Sequence, residues 1–295
     1  MILSCESTVD EPYSRVASRN IPILFYSYTV DGKLYTDDMG KDPESLSRFY
    51  NFLEEGKFPE TSQINVAQYH DFFEELLKKD DVLHIAFGSG MTASVNNAFL
   101  AAEDLKEEFP DRKIIVIDST CSSSGYGMLV DYAADMRDEG KSMEEIAQWV
   151  EDHKRNIHHQ FYSTDLKYFK RTGRVSGPVA TIAAVLKICP IMRLNDEGKI
   201  IAYDKVRGEK KAVAYTVEQM KQHAVDGTKY SGKCYICNSQ DEDSAKLLKA
   251  EIKDAFPKIK DIEIFDIGPI IAAHSGPGTV AVFFLGDERT PYKTK

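Results

Sequence analysis

A basic surface is missing from this sequence. Acidic side chains outnumber basic ones 47 to 37, for a formal charge of −10, and the lysines are scattered among the acids. That excludes a protein that coats nucleic acid, because neutralising phosphates takes a clustered basic patch. Also missing is any apolar run near the roughly 20 residues that span a bilayer. The opening MILSCESTVDEP lacks the charged-then-apolar pattern of a secretory leader, so the expectation is a soluble, cytoplasmic protein with no membrane span. Cysteine is sparse and odd in number, at positions 5, 121, 189, 234 and 237, which argues against a disulfide framework. The one CxxC, Cys234-Tyr235-Ile236-Cys237, lies in an apolar run that reads as a strand. A redox pair needs a helix N-terminus to stabilise its thiolate, and zinc needs two further ligands nearby, so the pair reads as core and no metal site is expected. The standard signatures GxxxxGK(S/T), GxGxxG, GxSxG and HExxH are absent as well.

What is present is length and alternation. With 295 residues, 42% of them hydrophobic and 28% charged, the chain is long enough for about two domains, each with its own core, and is not disordered. In the first half, apolar runs at 1–6, 21–30, 82–87 and 113–117 read as strands. Between them 43–55, 66–79, a stretch ending near 109 and another ending near 137 show helical spacing. Asp31-Gly32 is a hairpin signal into 33–36. Ser142 with Glu145 three residues on is a capping box. Apolar strands alternating with helices predict a doubly wound, mainly parallel sheet over 1–158. From 159 to 295 the pattern changes. Strands at 161–164, 191–194 and 200–206, the last two joined by the turn Asp196-Glu197-Gly198, are followed by helices over 212–224 and 244–256 and strands at 233–237, 262–267 and 280–285. This predicts a second, smaller α/β domain with a mixed sheet and a ligand cleft between the two.

Five times a strand or helix ends in a short segment rich in glycine and hydroxyls: Thr61-Ser62-Gln63, residues 88–94, 118–125, 172–177 and 273–278. Singly, each is an ordinary cap or turn. Together they suggest one anion site, because ligands of open α/β sheets bind beyond the strands' carboxyl ends, where free N–H groups and hydroxyls gather. Arg174 and His274 fall within two of these segments. His158 and His159 are adjacent on a strand and point to opposite faces, which sets them against sharing one ion. Asp118, at the end of a strand and before Ser119, reads equally as an acid or metal ligand and as the cap of the next segment.

The series Glu6-Ser7-Thr8-Val9-Asp10, Thr61-Ser62-Gln63, 88–94, Asp118-Ser119, LKYFKRTGR at 166–174, Lys187-Ile188-Cys189-Pro190-Ile191 and Gly268 with His274-Ser275-Gly276-Pro277-Gly278 resembles the DegV family of bacterial fatty-acid-binding proteins, over essentially the whole chain. The family includes the acyl-carrying subunit of fatty acid kinase. The resemblance implies two α/β domains with a long-chain fatty acid buried between them, no cofactor and no catalytic activity of its own. The acid is then presented to an ATP-dependent fatty acid kinase, and an acyl phosphate is formed. By the same resemblance the carboxylate ligands map to Thr61 and its neighbour Ser62, to Thr92 and Ser94 in a segment where the family usually has SxLSGT, to Arg174 and to His274. Two departures stand out: Glu6 replaces the family's usual aspartate, and Thr172 replaces the first glycine of its GGR. The tunnel walls implied are 180–186, 267–273, Met91 and the face 99–102, with roughly 0.8 kcal/mol gained per buried CH₂. Two rivals remain open. One is a hydrolase or phosphotransferase using Asp118, Ser119 and His274, which needs a nucleophile and base in contact. The other is a binding module for another small anion.

Overall fold

The computed structural model describes residues 1–176 and 188–291. The expected wall at 180–186, together with Gly177 and Lys187, lies outside them. In chain order the elements are β1 Ile2–Glu6, α1 Tyr13–Ser18, β2 Ile23–Leu24, β3 Ser27–Val30, β4 Lys33–Thr36, α2 Ser45–Glu54, β5 Glu60–Ser62, α3 Val66–Leu77, β6 Val82–Ala86, α4 Ser94–Glu108, β7 Ile114–Asp118, α5 Ser123–Asp138 and α6 Met143–His153. They continue with β8 Ile157–Ser163, α7 Lys167–Arg171, β9 Ile188–Leu194, β10 Ile200–Arg207, α8 Glu209–His223, β11 Cys234–Asn238, α9 Glu242–Ala255, β12 Glu263–Asp266, α10 Pro269–Ser275 and β13 Thr279–Leu285.

These strands form three sheets. A four-stranded parallel sheet has the order β2-β1-β6-β7. Its strand β6 is buried along its whole length, as a strand covered on both faces must be. The second sheet, β10-β9-β8-β13-β11-β12, is antiparallel except for the parallel pair β11–β12. The mixed pairing is as expected, but this six-stranded sheet is the larger of the two. The third is a small antiparallel sheet, β4-β3-β5. It arises because the apolar run 21–30 is two strands: β2 edges the parallel sheet and β3 turns away into a hairpin. Asp31 and Gly32 both have positive φ, 50° and 78°, the backbone that a two-residue hairpin of right-handed twist requires. The Ser142–Glu145 capping box forms as read.

The strand expected at 161–164 starts earlier, at Ile157, so a division at 158/159 falls inside β8. The two main sheets are joined by α5, which is buried from Ser123 through Asp131. A Cβ on Gly125 would strike the His159 ring and Phe283 of the second sheet. On Gly127 it would strike the Glu11 carboxylate behind the first. Two bare positions on successive faces let one helix touch both layers.

The CxxC behaves as core. All five cysteines are unpaired and buried. Three positions apart on a strand, Cys234 and Cys237 face opposite ways, and they pack in different apolar clusters.

Candidate functional site

All five glycine- and hydroxyl-rich segments meet at one cavity of about 140 Å³. It lies beyond the carboxyl ends of β6 and β7, where the parallel sheet faces the second sheet, as the rule for open α/β sheets places it. Thr61, Ser62, Thr92, Arg174 and His274 line it, with Tyr26, Phe87, Met91, Ser122, Phe169, Ile200, Ile270, Ile271 and Ser275 among the other walls. Close loop contacts make this possible. A Cβ on Gly90 would collide with the Gly198 carbonyl, and one on Gly198 would stand 2.7 Å from the Thr120 carbonyl oxygen. The turn of the β9–β10 hairpin therefore nests against the loops that follow both β6 and β7.

Thr61 sits on β5, opposite Tyr28 of β3. Its Oγ1 lies 2.9 Å from Nε2 of His274. His274 was expected in a turn but is the penultimate residue of α10. Burial, followed by the nearby Arg174 charge, lowers its pKa to about 4, so the ring is neutral at pH 7. Thr92 Oγ1 accepts a hydrogen bond from the Ser94 N–H at 3.2 Å and lies 3.0 Å from Ser94 Oγ. Ser94 is fully buried and does not line the cavity. It stands behind Thr92, and its Oγ accepts from the Ile64 N–H at 3.2 Å, clamping the segment after Thr61 to the segment containing Thr92. Arg174 closes the rim, its Nε donating to the Met91 carbonyl at 3.2 Å and its guanidinium to the Thr172 carbonyl.

Among the described residues, Nδ1 of His274 and Oγ of Ser275 have no hydrogen-bond partner, and the buried Tyr26 hydroxyl, close to Thr92, Ser94 and Tyr69, makes no well-aligned one. Buried groups of this kind are normally satisfied, and all three residues line this one cavity. The sequence reading missed Tyr26 and Ser275. Behind Tyr26 the buried Glu6 carboxylate accepts from the Phe87 N–H at 3.0 Å and from the Tyr69 hydroxyl. The longer acid in place of the family's aspartate thus braces the cavity wall rather than entering the cavity.

Away from the polar end the cavity continues into a second, almost wholly apolar space of about 50 Å³. Phe161, Leu194, Ile267, Ala281 and Phe283 surround it with Ser123, His159 and Thr279, and Ser122, Phe169, Ile200, Ile271 and Ser275 are shared between the two. Of the expected walls, Met91, Ile267, Ile270 and Ile271 take part. The face 99–102 does not: Phe99 and Leu100 are exposed, and Ala101 and Ala102 pack in the protein core. Asp118 and Ser119 do not line the cavity either. Asp118 accepts from the backbone N–H groups of Ser89 and Thr120, and Ser119 Oγ from that of Cys121. The trio Asp118, Ser119 and His274 is therefore not assembled, and Asp118 plays its capping part. No helix among the described residues is long and apolar enough to cross a membrane.

Fold and site together define an α/β protein with a parallel and a mainly antiparallel sheet and a cavity that is polar at one end and apolar at the other. The family model described as "Uncharacterised protein, DegV family" matches residues 4–287. A DegV domain-containing protein of Clostridium perfringens is 35% identical, the match covering 98% of this chain and 99% of that one. This chain belongs to the DegV family. Among solved structures it is similar to a DegV family protein from Thermus thermophilus described as fatty-acid-binding, with 27% identity and a TM-score of 0.84 over 97% of this chain and 99% of that one. It is also similar to a fatty acid binding DegV family protein of Streptococcus agalactiae, with 27% identity and a TM-score of 0.82 over 97% and 99% of the two chains.

Proposed function

We propose that this protein binds a long-chain fatty acid, carboxylate among Thr61, Thr92, Tyr26 and His274 and tail in the apolar continuation of the cavity. It then presents the acid, as a cytoplasmic carrier, to an ATP-dependent fatty acid kinase for acyl-phosphate formation. The observation that carries this reading is the set of buried polar atoms without a well-aligned partner, on Tyr26, His274 and Ser275, at one end of an otherwise apolar space. A carboxylate leaving water needs several donors in place of its hydration. With the proton of neutral His274 on Nδ1, the otherwise unpartnered N–H donates to the carboxylate, while Nε2 accepts from the Thr61 hydroxyl, which holds the ring in that orientation. The binding residues proposed from sequence, Thr61, Ser62, Thr92, Arg174 and His274, surround this position, while Ser94 supports it from behind. A C16 tail contributes on the order of 12 kcal/mol before ordering costs.

Native mass spectrometry of the purified chain, before and after denaturation, tests the reading. The expected result is a releasable mass of about a C14–C18 acid. A chain that carries no fatty acid and cannot be loaded with one overturns it. Arg174 at the rim belongs to the second half of the proposal: Arg174→Ala is expected to retain the acid and slow acyl-phosphate formation when kinase and ATP are supplied.

A further inference from the structure

The geometry points to a divalent metal site, suited to zinc, formed by His158, His223 and Asp287 on the far side of the second sheet from the cavity. His158 and His159 alternate on β8 as the strand period demands. His159 faces α5, accepting from the Ser122 N–H at 3.1 Å, while His158 faces the end of α8. There the ring of His223, the last residue of α8, stacks on the His158 ring at 5.0 Å, and His158 stacks in turn on Phe284. Asp287 follows β13 and brings its carboxylate to both: Oδ1 lies 2.9 Å from His158 Nε2 and 3.0 Å from His223 Nδ1. The three ligand atoms all lie within 4.8 Å of one another. Ligands of a tetrahedral zinc ion stand about 3.4 Å apart, so Asp287 Oδ1 has to draw back from each ring by about half an ångström to admit the ion.

The framework around these side chains is fixed. The Asp287 N–H donates to the His223 carbonyl and the Gly286 N–H to the Asn156 carbonyl; His158 Nε2 now donates to the Asp287 carbonyl at 2.9 Å, a bond the ion replaces as the ring proton passes to Nδ1 or to water. A Cβ on Gly286 would sit 2.7 Å from the His158 ring, so only glycine lets the Asp287 segment pass this close. Two imidazoles and one carboxylate are a borderline donor set that zinc accepts, and the half-buried His223 and exposed Asp287 leave further positions for water. His158 is buried, so the ion would tie β8, α8 and the segment after β13 at one point.

The test uses the full chain stripped with EDTA, desalted and titrated with zinc sulfate against a chromogenic chelator, with metal per chain counted by atomic emission. One zinc per chain, weakened about tenfold or more in both His223→Ala and Asp287→Asn, supports the site. So does a zinc-dependent rise in melting temperature that those variants lose while they still carry fatty acid. Absence of bound zinc overturns it. So does zinc binding that survives both substitutions and disappears in His70→Ala, which would assign the ion to the surface group His70, Asp71 and Glu74 on α3.

Discussion

Thr61 and Thr92 serve the ligand in different ways: Thr61 donates to Nε2 of His274 and so turns the ring's Nδ1–H toward the cavity, whereas Thr92 Oγ1 accepts from the Ser94 N–H and shares its hydroxyl proton between Ser94 Oγ and the ligand position. Thr61→Val and Thr92→Ala are each expected to weaken fatty-acid binding by ~1–3 kcal/mol, the cost of an unpaired buried oxygen, as read by displacement of a fluorescent acid. Unchanged affinity in both would place the head group elsewhere. His274 carries a pH prediction. With its folded pKa lowered to about 4 against about 6.5 unfolded, its neutral form supports the fold fully above 6.5, and that support is lost as pH falls toward 4. A bound carboxylate favours the cationic ring, so NMR titration of the imidazole is expected to give a midpoint near 4 without ligand and a higher one with it. A midpoint of 6.5 or above in the empty protein would contradict a neutral donor. At this scale the sequence was legible where chemistry shows in residue type: hydroxyls beside glycine, an arginine and a histidine in the same kind of segment. It was silent on Tyr26, whose hydroxyl is one more aromatic position in an apolar run until β2 and β3 part.

α5 shows what periodicity does and does not carry. Its start is rich in serine and glycine, Ser123-Ser124-Gly125-Tyr126-Gly127, which locally reads as a loop, yet these residues are the first turns of a helix buried between two sheets. Glycine in a helix interior ordinarily costs 0.5–1 kcal/mol relative to alanine. Here the sign reverses, because the missing Cβ is the space occupied by His159 and Phe283 at one position and by Glu11 at the next. Gly125→Ala is expected to destabilise the protein by about 1–3 kcal/mol, the usual cost of overpacking, seen as a lower urea midpoint. A stabilised variant would mean that the layers are not in contact through this helix. The same logic explains α10. Gly276-Pro277-Gly278 just beyond it reads as putting His274 in a turn, but Pro269 at its start suits the first helical position and His274 lies in its last turn.

Across the whole molecule, the alternation of strands and helices was enough to expect a parallel sheet followed by a mixed one, because each strand's burial is written in its own residues. The joints between them were not, and Arg289 is the plainest case. It is 2% exposed, and its guanidinium donates to the carbonyls of Thr120, Lys154, Arg155 and Asn195 and to the Thr120 hydroxyl, at 2.8–3.2 Å. Nothing near Arg289 in the chain announces those partners, which come from the loop after β7, the segment before β8 and the turn after β9. Arg289→Met is expected to leave several buried carbonyls unpaired and to cost at least about 3 kcal/mol, read as a drop in melting temperature. A change of less than 1 kcal/mol would show that the joint is held by packing alone.

That arginine also imposes an order of events. Every carbonyl it gathers leaves the ribosome before Arg289 does, and two of them, on Thr120 and Asn195, belong to the loop and the hairpin turn that meet over the cavity. During synthesis those two segments have their glycines and their shape but not the group that ties them together. The wall is shaped by early segments and tied by a late one, so Arg289→Met is expected to speed amide exchange in the loop around Thr120 and the turn around Asn195 before it disturbs the sheets.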